Sequence, residues 1–273
     1  MPDKKRILIT GAAGRIATMV REALATGDYE ISGIDMRPAE GMEFLVADMT
    51  DLAAIEPAYR GIDTVIDFAN DPAGNLPWEK AHQNNIAATY NSLQAAQKAG
   101  VRRFIYTSSN RITEGYQLDQ PYAAICKGDY TGLDPATLPL INTSMPPRPN
   151  GPYGIAKACA EAAARYFRDY FGMSAICLRL GTMGRDDAGP RDQRQFATLL
   201  TPRDVKHLYQ CAVAAPDDLK WGVFYGVSNN KWKFWDISDA AKLIGYHPQD
   251  NMEDFRGKVE SEWGARPATP PAR

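Results

Sequence analysis

Ile7-Leu8-Ile9-Thr10-Gly11-Ala12-Ala13-Gly14-Arg15-Ile16-Ala17 runs from an apolar strand-like segment through a glycine turn into a helix-like stretch that continues with Met19, Val20, Ala23 and Leu24. A dinucleotide site requires that order. Gly11 permits the tight turn, and Gly14 lets the backbone come close to a pyrophosphate. The helix that follows offers its N-terminal amides and the positive end of its dipole to the phosphates. Ala17 is small enough for close packing of helix on strand. The candidate cofactor contacts of this loop are Gly11, Ala13, Gly14, Arg15 and Ile16. Glycines that serve only the backbone of a strand-to-helix connection are the plainer alternative.

Beyond the loop, strand-like runs recur at 6–10, 30–35, 43–48, 63–69, 102–109, 175–181 and 223–228. Helical periodicity falls between them at 15–26, 51–60, 78–99, 152–171, 202–214 and 236–244. This alternation predicts an α/β fold with a doubly wound parallel sheet of Rossmann type and a small C-terminal substrate-binding portion. One domain spanning 1–273 suffices, with substrate-binding elements within 111–151 and 182–273. Thr201-Pro202 reads as an N-cap followed by proline in the first turn, and Gly245 as a helix stop. The segment 121–149 contains Pro121, Pro135, Pro139, Pro146, Pro147 and Pro149 and so cannot be one regular element. It is expected to be an ordered loop over the active site, with a mobile surface excursion as the alternative.

Cofactor choice rests on Asp35, which ends the second strand-like run Ile31-Ser32-Gly33-Ile34-Asp35. A carboxylate there accepts hydrogen bonds from adenosine ribose hydroxyls and repels the 2′-phosphate of NADP, which favours NAD. Arg37, two residues later, is the feature that would suit NADP. Asp48, with Met49 beside it, is placed to meet the adenine edge, and a strand-end cap is an equal reading of that acid. Asp67-Phe68-Ala69-Asn70 should run under the cofactor, with Phe68 and Ala69 as contacts and Asn70 facing the substrate.

Tyr153 and Lys157 lie four residues apart in Tyr153-Gly154-Ile155-Ala156-Lys157, on one helical face. A phenol ionises near pH ~10, so acid–base work at neutral pH needs a positive charge beside it, which Lys157 can provide. Thr107-Ser108-Ser109-Asn110 follows the apolar run Phe104-Ile105-Tyr106, where side chains leaving a parallel strand reach the ligand crevice. A hydroxyl there hydrogen-bonds a reacting alcohol or carbonyl. Either feature alone is common on amphipathic helices and at strand ends. Their order after the glycine loop makes the pattern specific.

Taken together, these segments resemble the extended short-chain dehydrogenase/reductase superfamily, which includes the NAD-dependent sugar-nucleotide epimerases and dehydratases. Thr10-Gly11 with Gly14 and Ala17 looks like its cofactor loop, Ser109 like its active-site hydroxyl, and Tyr153 with Lys157 like its catalytic pair. Asn85 matches a helix motif of the family that serves the cofactor, with Ala88 in place of the usual glycine. A narrower likeness is to uronate dehydrogenases and related NAD-dependent sugar 1-dehydrogenases. It rests on Ser108-Ser109-Asn110, Arg148-Pro149-Asn150-Gly151-Pro152-Tyr153-Gly154 and Leu178-Arg179-Leu180-Gly181, with the Trp-rich 231–235 and the stretch 243–251 behind them. Arg111 stands where those enzymes have His, and residues 112–150 form a longer connection than theirs. Asp67 is a further departure, since the family often has His near that position.

The resemblance implies oxidation of a sugar hydroxyl at C1 to a lactone, with Tyr153 as base, Lys157 lowering its pKa and holding the cofactor ribose, and Ser109 on the reacting oxygen. Asn70, Asn110, Arg111 and Thr182 are the expected substrate contacts. Arg194 falls where the uronate enzymes grip the substrate carboxylate. Arg185, Arg191 and Arg203, with Arg111, would equally suit a sugar phosphate, and a solvated basic cluster is the plain reading. A sugar-nucleotide epimerase or dehydratase and a non-catalytic NAD-binding regulator are the other functions open to this fold. The intact Ser109, Tyr153 and Lys157 speak against the regulator. The tail of about ninety residues after Gly181 speaks for a small free sugar over a nucleotide sugar.

Composition agrees with a soluble enzyme: 273 residues, 44% hydrophobic and 23% charged. A formal net charge of -2 gives no general attraction to nucleic acid. Trp221, Trp232 and Trp235 read as core or pocket wall. His82, His207 and His247 are scattered and propose no metal site. No signal-peptide core or membrane span is apparent. Cys126, Cys159, Cys177 and Cys211 have neither metal-ligand spacing nor the density of a secreted framework, so a reducing, cytoplasmic setting is expected. The partner expected is a small-molecule sugar. Helices 78–99 and 152–171 resemble those that pair superfamily dimers, so a homodimer or higher homo-oligomer is expected.

Overall fold

The apolar runs form seven parallel strands because their side chains alternate between two buried faces. A computed structural model describes residues 4–73, 75–184 and 189–263. The strands are β1 (Lys5–Thr10), β2 (Tyr29–Asp35), β3 (Glu43–Val46), β4 (Thr64–Asp67), β5 (Arg103–Ser109) and β6 (Ser174–Leu180). A two-residue pair, β7 (Thr182–Met183) and β8 (Leu199–Leu200), stands apart before β9 (Trp221–Gly226) completes the sheet. The order is β3-β2-β1-β4-β5-β6-β9, with every neighbouring pair parallel. The order in which the chain adds strands reverses between β1 and β4, the point at which such folds open a crevice at the carboxyl ends of the strands.

Each face has its own core. Ile7, Ile9, Ile66, Ile105, Ile176 and Leu178 pack with Val20 and Leu24 of helix Arg15–Leu24 and with Val205, Leu208 and Ala212 of helix Pro202–Ala214. Leu8, Val65, Phe104, Tyr106, Ala175 and Cys177 point the other way, onto Leu93 and Ala96 of helix Ala88–Lys98 and onto Ala160, Ala164 and Phe167 of helix Pro152–Phe171. The one-residue shift between Ile7 and Leu8, or Phe104 and Ile105, is the period of two that strands impose.

The Pro-rich segment 121–149 contains helix Tyr122–Lys127 and a bridge from Ile141 to Trp235. Its Tyr122, Ile125 and Ile141 join Tyr225, Val227, Trp232, Phe234 and Trp235 in a separate aromatic core. The Trp-rich tail therefore anchors this connection, and it is an ordered element. Thr201 caps helix Pro202–Ala214 by accepting from the amide of Asp204, and helix Ser238–Ile244 stops at the left-handed Gly245. The helix expected over 51–60 divides into Leu52–Ile55 and a tighter 3-10 turn at Glu56–Tyr59, where Pro57 lacks an amide to donate. The one expected over 78–99 carries a π-helical turn, Ala81–Ala87, between two α-helical pieces.

Gly11 has φ +63, and a Cβ there would stand 2.8 Å from the Phe68 carbonyl carbon and the Ala69 amide nitrogen. Both the dihedral and the backbone contact exclude a side chain. Gly11→Ala is therefore expected to destabilise the fold by about 1–3 kcal/mol. The denaturant midpoint reads this directly, and an unchanged midpoint would show that the loop can shift away from β4.

Candidate active site

The glycine loop forms a cradle that fits a dinucleotide. The amide of Gly14 returns to the carbonyl of Gly11 at 2.9 Å, and a Cβ on Gly14 would sit 3.0 Å from that oxygen. Gly14 is the N-cap of helix Arg15–Leu24 and brings no side chain, and no acid lies in the first turn. The helix N-terminus is thus open to anionic oxygens. Ile16 packs toward the core, while Arg15 reaches across to the carbonyl of Gly184. Asp35 ends β2 beside the loop, accepting from the amides of Ala13 and Arg37 at 3.1 Å each. Its carboxylate supports the turn. Arg37 is exposed.

On the other wall, Phe68 and Ala69 lie with their backbone against Gly11, tied to Thr10 by its carbonyl at 3.1 Å and its hydroxyl at 3.3 Å. Three expected cofactor contacts have other partners. Met49 turns its side chain into the core beside Val65 and Ala88, and its carbonyl accepts from Asn91. Asp48 caps the amide and hydroxyl of Thr50 at 2.8 and 2.9 Å, the strand-end role. Asn85, on the π-helical turn, uses both ends of its amide on the backbone of Asp71, at 2.8 and 3.1 Å. It fixes the loop after β4.

Parallel register brings the reacting groups together at the strand ends. Asp67 of β4 lies opposite Tyr106 of β5, and Ser109 opposite Leu180 of β6. Helix Pro152–Phe171 crosses these ends, and its Gly154 touches the chain at Arg111, whose carbonyl oxygen would be 2.6 Å from an added Cβ. Tyr153 is thereby set against Ser109 and Arg111. Burial pushes the phenol's pKa up to about 12, while the Arg111 charge and the Ser109 hydroxyl pull it back. Lys157, expected to lower the phenol's pKa, is fully buried and donates to the carbonyl of Thr107 at 2.6 Å. Its ammonium lies over the rings of Tyr106 and Tyr153, 4.8 and 5.5 Å from their centroids. Burial lowers the Lys157 pKa, and the carboxylates of Asp67 and Glu161 oppose that shift.

The substrate end follows from β5. Ser109 accepts from the amide of Arg111 at 3.2 Å and donates to Asn110 Oδ1 at 3.3 Å. Asn110 Nδ2 and both amide atoms of Asn70 are buried with no hydrogen-bond partner. Arg194 reaches the same end, but its guanidinium is engaged by the chain: Nε on Gln117, Nη1 on Thr182 and Nη2 on Glu114, at 2.7, 2.9 and 2.8 Å. The carboxylate in the expected clamp is thus Glu114, which sequence reasoning missed. Its signal was an acid five residues after Ser109 among basic positions, with its partner eighty residues away. Arg203 is elsewhere, paired with Asp250; Arg191 is exposed, and Arg185 lies outside the described residues. Among the described residues no His, Cys, Asp or Glu group forms a metal site. Trp232 and Trp235 are buried in the aromatic core, and Trp221 lies under Arg165.

Known proteins are similar to this chain over nearly their whole length. An NAD-dependent glucose-6-phosphate dehydrogenase of Haloferax volcanii is 30% identical over 258 residues, covering 91% of this chain and 95% of that protein. An L-arabinose 1-dehydrogenase (NAD(P)(+)) of the same organism is 30% identical over 257 residues, 90% of this chain and 97% of its own. A mutant uronate dehydrogenase of Agrobacterium tumefaciens, solved in complex with NAD, superposes with a TM-score of 0.79 at 27% identity, over 97% of this chain and 92% of that one. Residues 7–254 match the Epimerase model, described as the NAD dependent epimerase/dehydratase family, and the chain belongs to that family.

Proposed function

We propose that this chain is an NAD-dependent oxidoreductase that converts the anomeric C1 hydroxyl of a sugar acid or related sugar to a lactone. The observation that carries this reading is the meeting of Tyr153, Ser109 and Asn110 at the end of β5, above the buried Lys157 and beside the cradle of Gly11, Gly14 and Asp35. NAD, when bound along that cradle, supplies the hydride acceptor. Ser109 and Asn110 hold the reacting oxygen and its neighbours, and Tyr153 takes the proton from the C1 hydroxyl. Lys157, fixed by Thr107, keeps a cation beneath the phenol and within reach of the cofactor ribose. Substrate-binding elements lie within 111–151 and 182–273, and the whole forms one cofactor-binding domain. The names of the relatives span a sugar phosphate, a neutral pentose and a uronate, all consistent with chemistry at C1.

No helix among the described residues is long and apolar enough to cross a membrane. The described cysteines are free thiols, which supports a reducing, cytoplasmic setting. Trp78, Tyr90, Ile155, Tyr166, Tyr170 and Phe171 are exposed on the two long helical segments. An apolar surface of this kind supports a homodimer.

Tyr153→Phe is expected to lower turnover by about 10²–10⁴-fold with NAD affinity nearly unchanged, since only the exchangeable proton is lost. Hydride transfer near the parent rate in a single-turnover experiment would overturn the role of Tyr153. In the oxidative direction the phenol must be deprotonated, so kcat/KM should climb with pH. Arg111 lowers the phenol's pKa, and its removal raises it; Arg111→Ala should therefore move the rising limb to higher pH, and Arg111→Lys should restore most of the shift. A coincident pH profile in all three proteins would sink that assignment. For the dimer, Tyr170→Glu should yield monomers by light scattering, and a monomeric parent at micromolar concentration would contradict the pairing.

A further inference from the structure

Glu114 is the carboxylate that the positive charges of the substrate end share. Its side chain is 15% exposed. Oε1 accepts from Arg194 Nη2 at 2.8 Å, Oε2 accepts from Asn150 Nδ2 at 2.6 Å, and Arg111 Nε stands 3.7 Å from Oε2. With Gln117 and Thr182 on its other nitrogens, Arg194 donates from every nitrogen to a group of its own chain. A guanidinium grips a carboxylate through two parallel N–H bonds along one edge. A substrate anion seated on the remaining N–H groups would lie beside Glu114, where like charges repel in a half-buried space.

The polar atoms left open at this end are of another kind. Asn70 Oδ1 and Nδ2, Asn110 Nδ2 and Gln117 Nε2 are buried without a hydrogen bond. Asn70 follows β4 and Asn110 follows β5, while Gln117 touches Arg194 through its other end. Buried amides without partners are rare in folded chains, so a group of them calls for a ligand. An amide offers neutral donors and acceptors, the complement of sugar hydroxyls. Arginines that face a carboxylate of their own chain, beside amides left without partners, suit an uncharged polyol.

Resting on the reading that the chain oxidises sugars at C1, we propose that Glu114 is its specificity-determining residue: an internal carboxylate that occupies the arginine pair and commits the pocket to neutral aldoses over uronates and sugar phosphates. The Asn150 contact explains how the carboxylate is held. Asn150 lies just before helix Pro152–Phe171, so the turn that delivers Tyr153 also positions Glu114. Glu114 itself is on the short 3-10 turn Glu114–Leu118, with Gln117 one turn further on.

The test compares kcat/KM with NAD for D-galactose and L-arabinose, for D-galacturonate and D-glucuronate, and for D-glucose 6-phosphate, in the parent, Glu114→Gln and Glu114→Asp. The parent should favour its best neutral aldose over its best anionic sugar by about tenfold or more, and Glu114→Gln should shift that ratio toward the anions by about tenfold, with Glu114→Asp close to the parent. A parent that prefers a uronate or a sugar phosphate overturns the proposal whatever the variants do, as does a ratio unmoved in Glu114→Gln. If none of the sugars reduces NAD, the C1-oxidation reading fails by itself. Calorimetric titration with D-galacturonate then still decides the role of Glu114: tighter binding to Glu114→Gln than to the parent supports it, and equal binding overturns it.

Discussion

The ion pair of Glu161 and Arg179 fixes where the Tyr153 phenol stands. Arg179 of β6 holds Glu161 by two bonds, Nε to Oε1 at 2.9 Å and Nη2 to Oε2 at 2.7 Å, and Ser108 of β5 donates to the same carboxylate at 2.5 Å. Tyr153, Lys157 and Glu161 recur every four residues along helix Pro152–Phe171 and so share one face. Glu161 is locked to β6 and to Ser108, Lys157 to Thr107, and Tyr153 lies against Ser109; three consecutive residues of β5 thus receive three consecutive turns of the helix. Opening a buried pair of this kind typically costs about 3–5 kcal/mol, because it leaves one charge buried and alone. Rotation of the helix about its axis is therefore strongly resisted. The pair extends further, since Arg179 also reaches Tyr225 at 3.2 Å and Tyr225 meets Thr113 at 2.8 Å, next to Glu114.

Beneath the crevice, charge is arranged in a second buried group. Asp67 at the end of β4 accepts from Thr10 at 2.5 Å and from Ser92 at 3.2 Å. Burial raises its pKa, and the two hydroxyls together with the Lys157 charge oppose the shift. Lys157 and Asp67 thus each favour the charged form of the other in a place where neither would be charged alone. The carboxylate at the end of β4 thus gives the buried lysine a counter-charge that burial opposes and the two hydroxyls support.

The sheet was legible because its signal is local. Period-two burial along each strand, helix starts such as Thr201-Pro202 and stops such as Gly245 are written in neighbouring residues, and the order of β1, glycine loop and helix needs no distant partner. Tyr153, Lys157 and Ser109 were readable for the same reason, since a four-residue step and a strand end are properties of short segments. What escaped depends on contacts between distant segments. Met49 faces the core because β4 and helix Ala88–Lys98 close over it, and Asn85 is tied to the Asp71 backbone from a π-helical turn that composition does not announce. Arg194 kept its place but not its free charge, because its counter-ion comes from a segment eighty residues earlier in the chain.

The two layers of this molecule respond to sequence change differently. Strand ends and helix faces are bound by register: a one-residue slip in β5 would exchange Ser108, which holds Glu161, with Ser109, which faces the reacting oxygen. The 111–151 connection is held by its own aromatic core on Trp232, Phe234 and Trp235, outside the two cores of the sheet. Its two ends meet the helix that carries Tyr153, at Arg111 against Gly154 and at Asn150 just before the helix start. Relatives 27–30% identical to this chain carry names that differ chiefly in the sugar. In this chain the carboxylate of Glu114 lies on the Arg194 guanidinium and accepts from Asn150 in the turn before Tyr153.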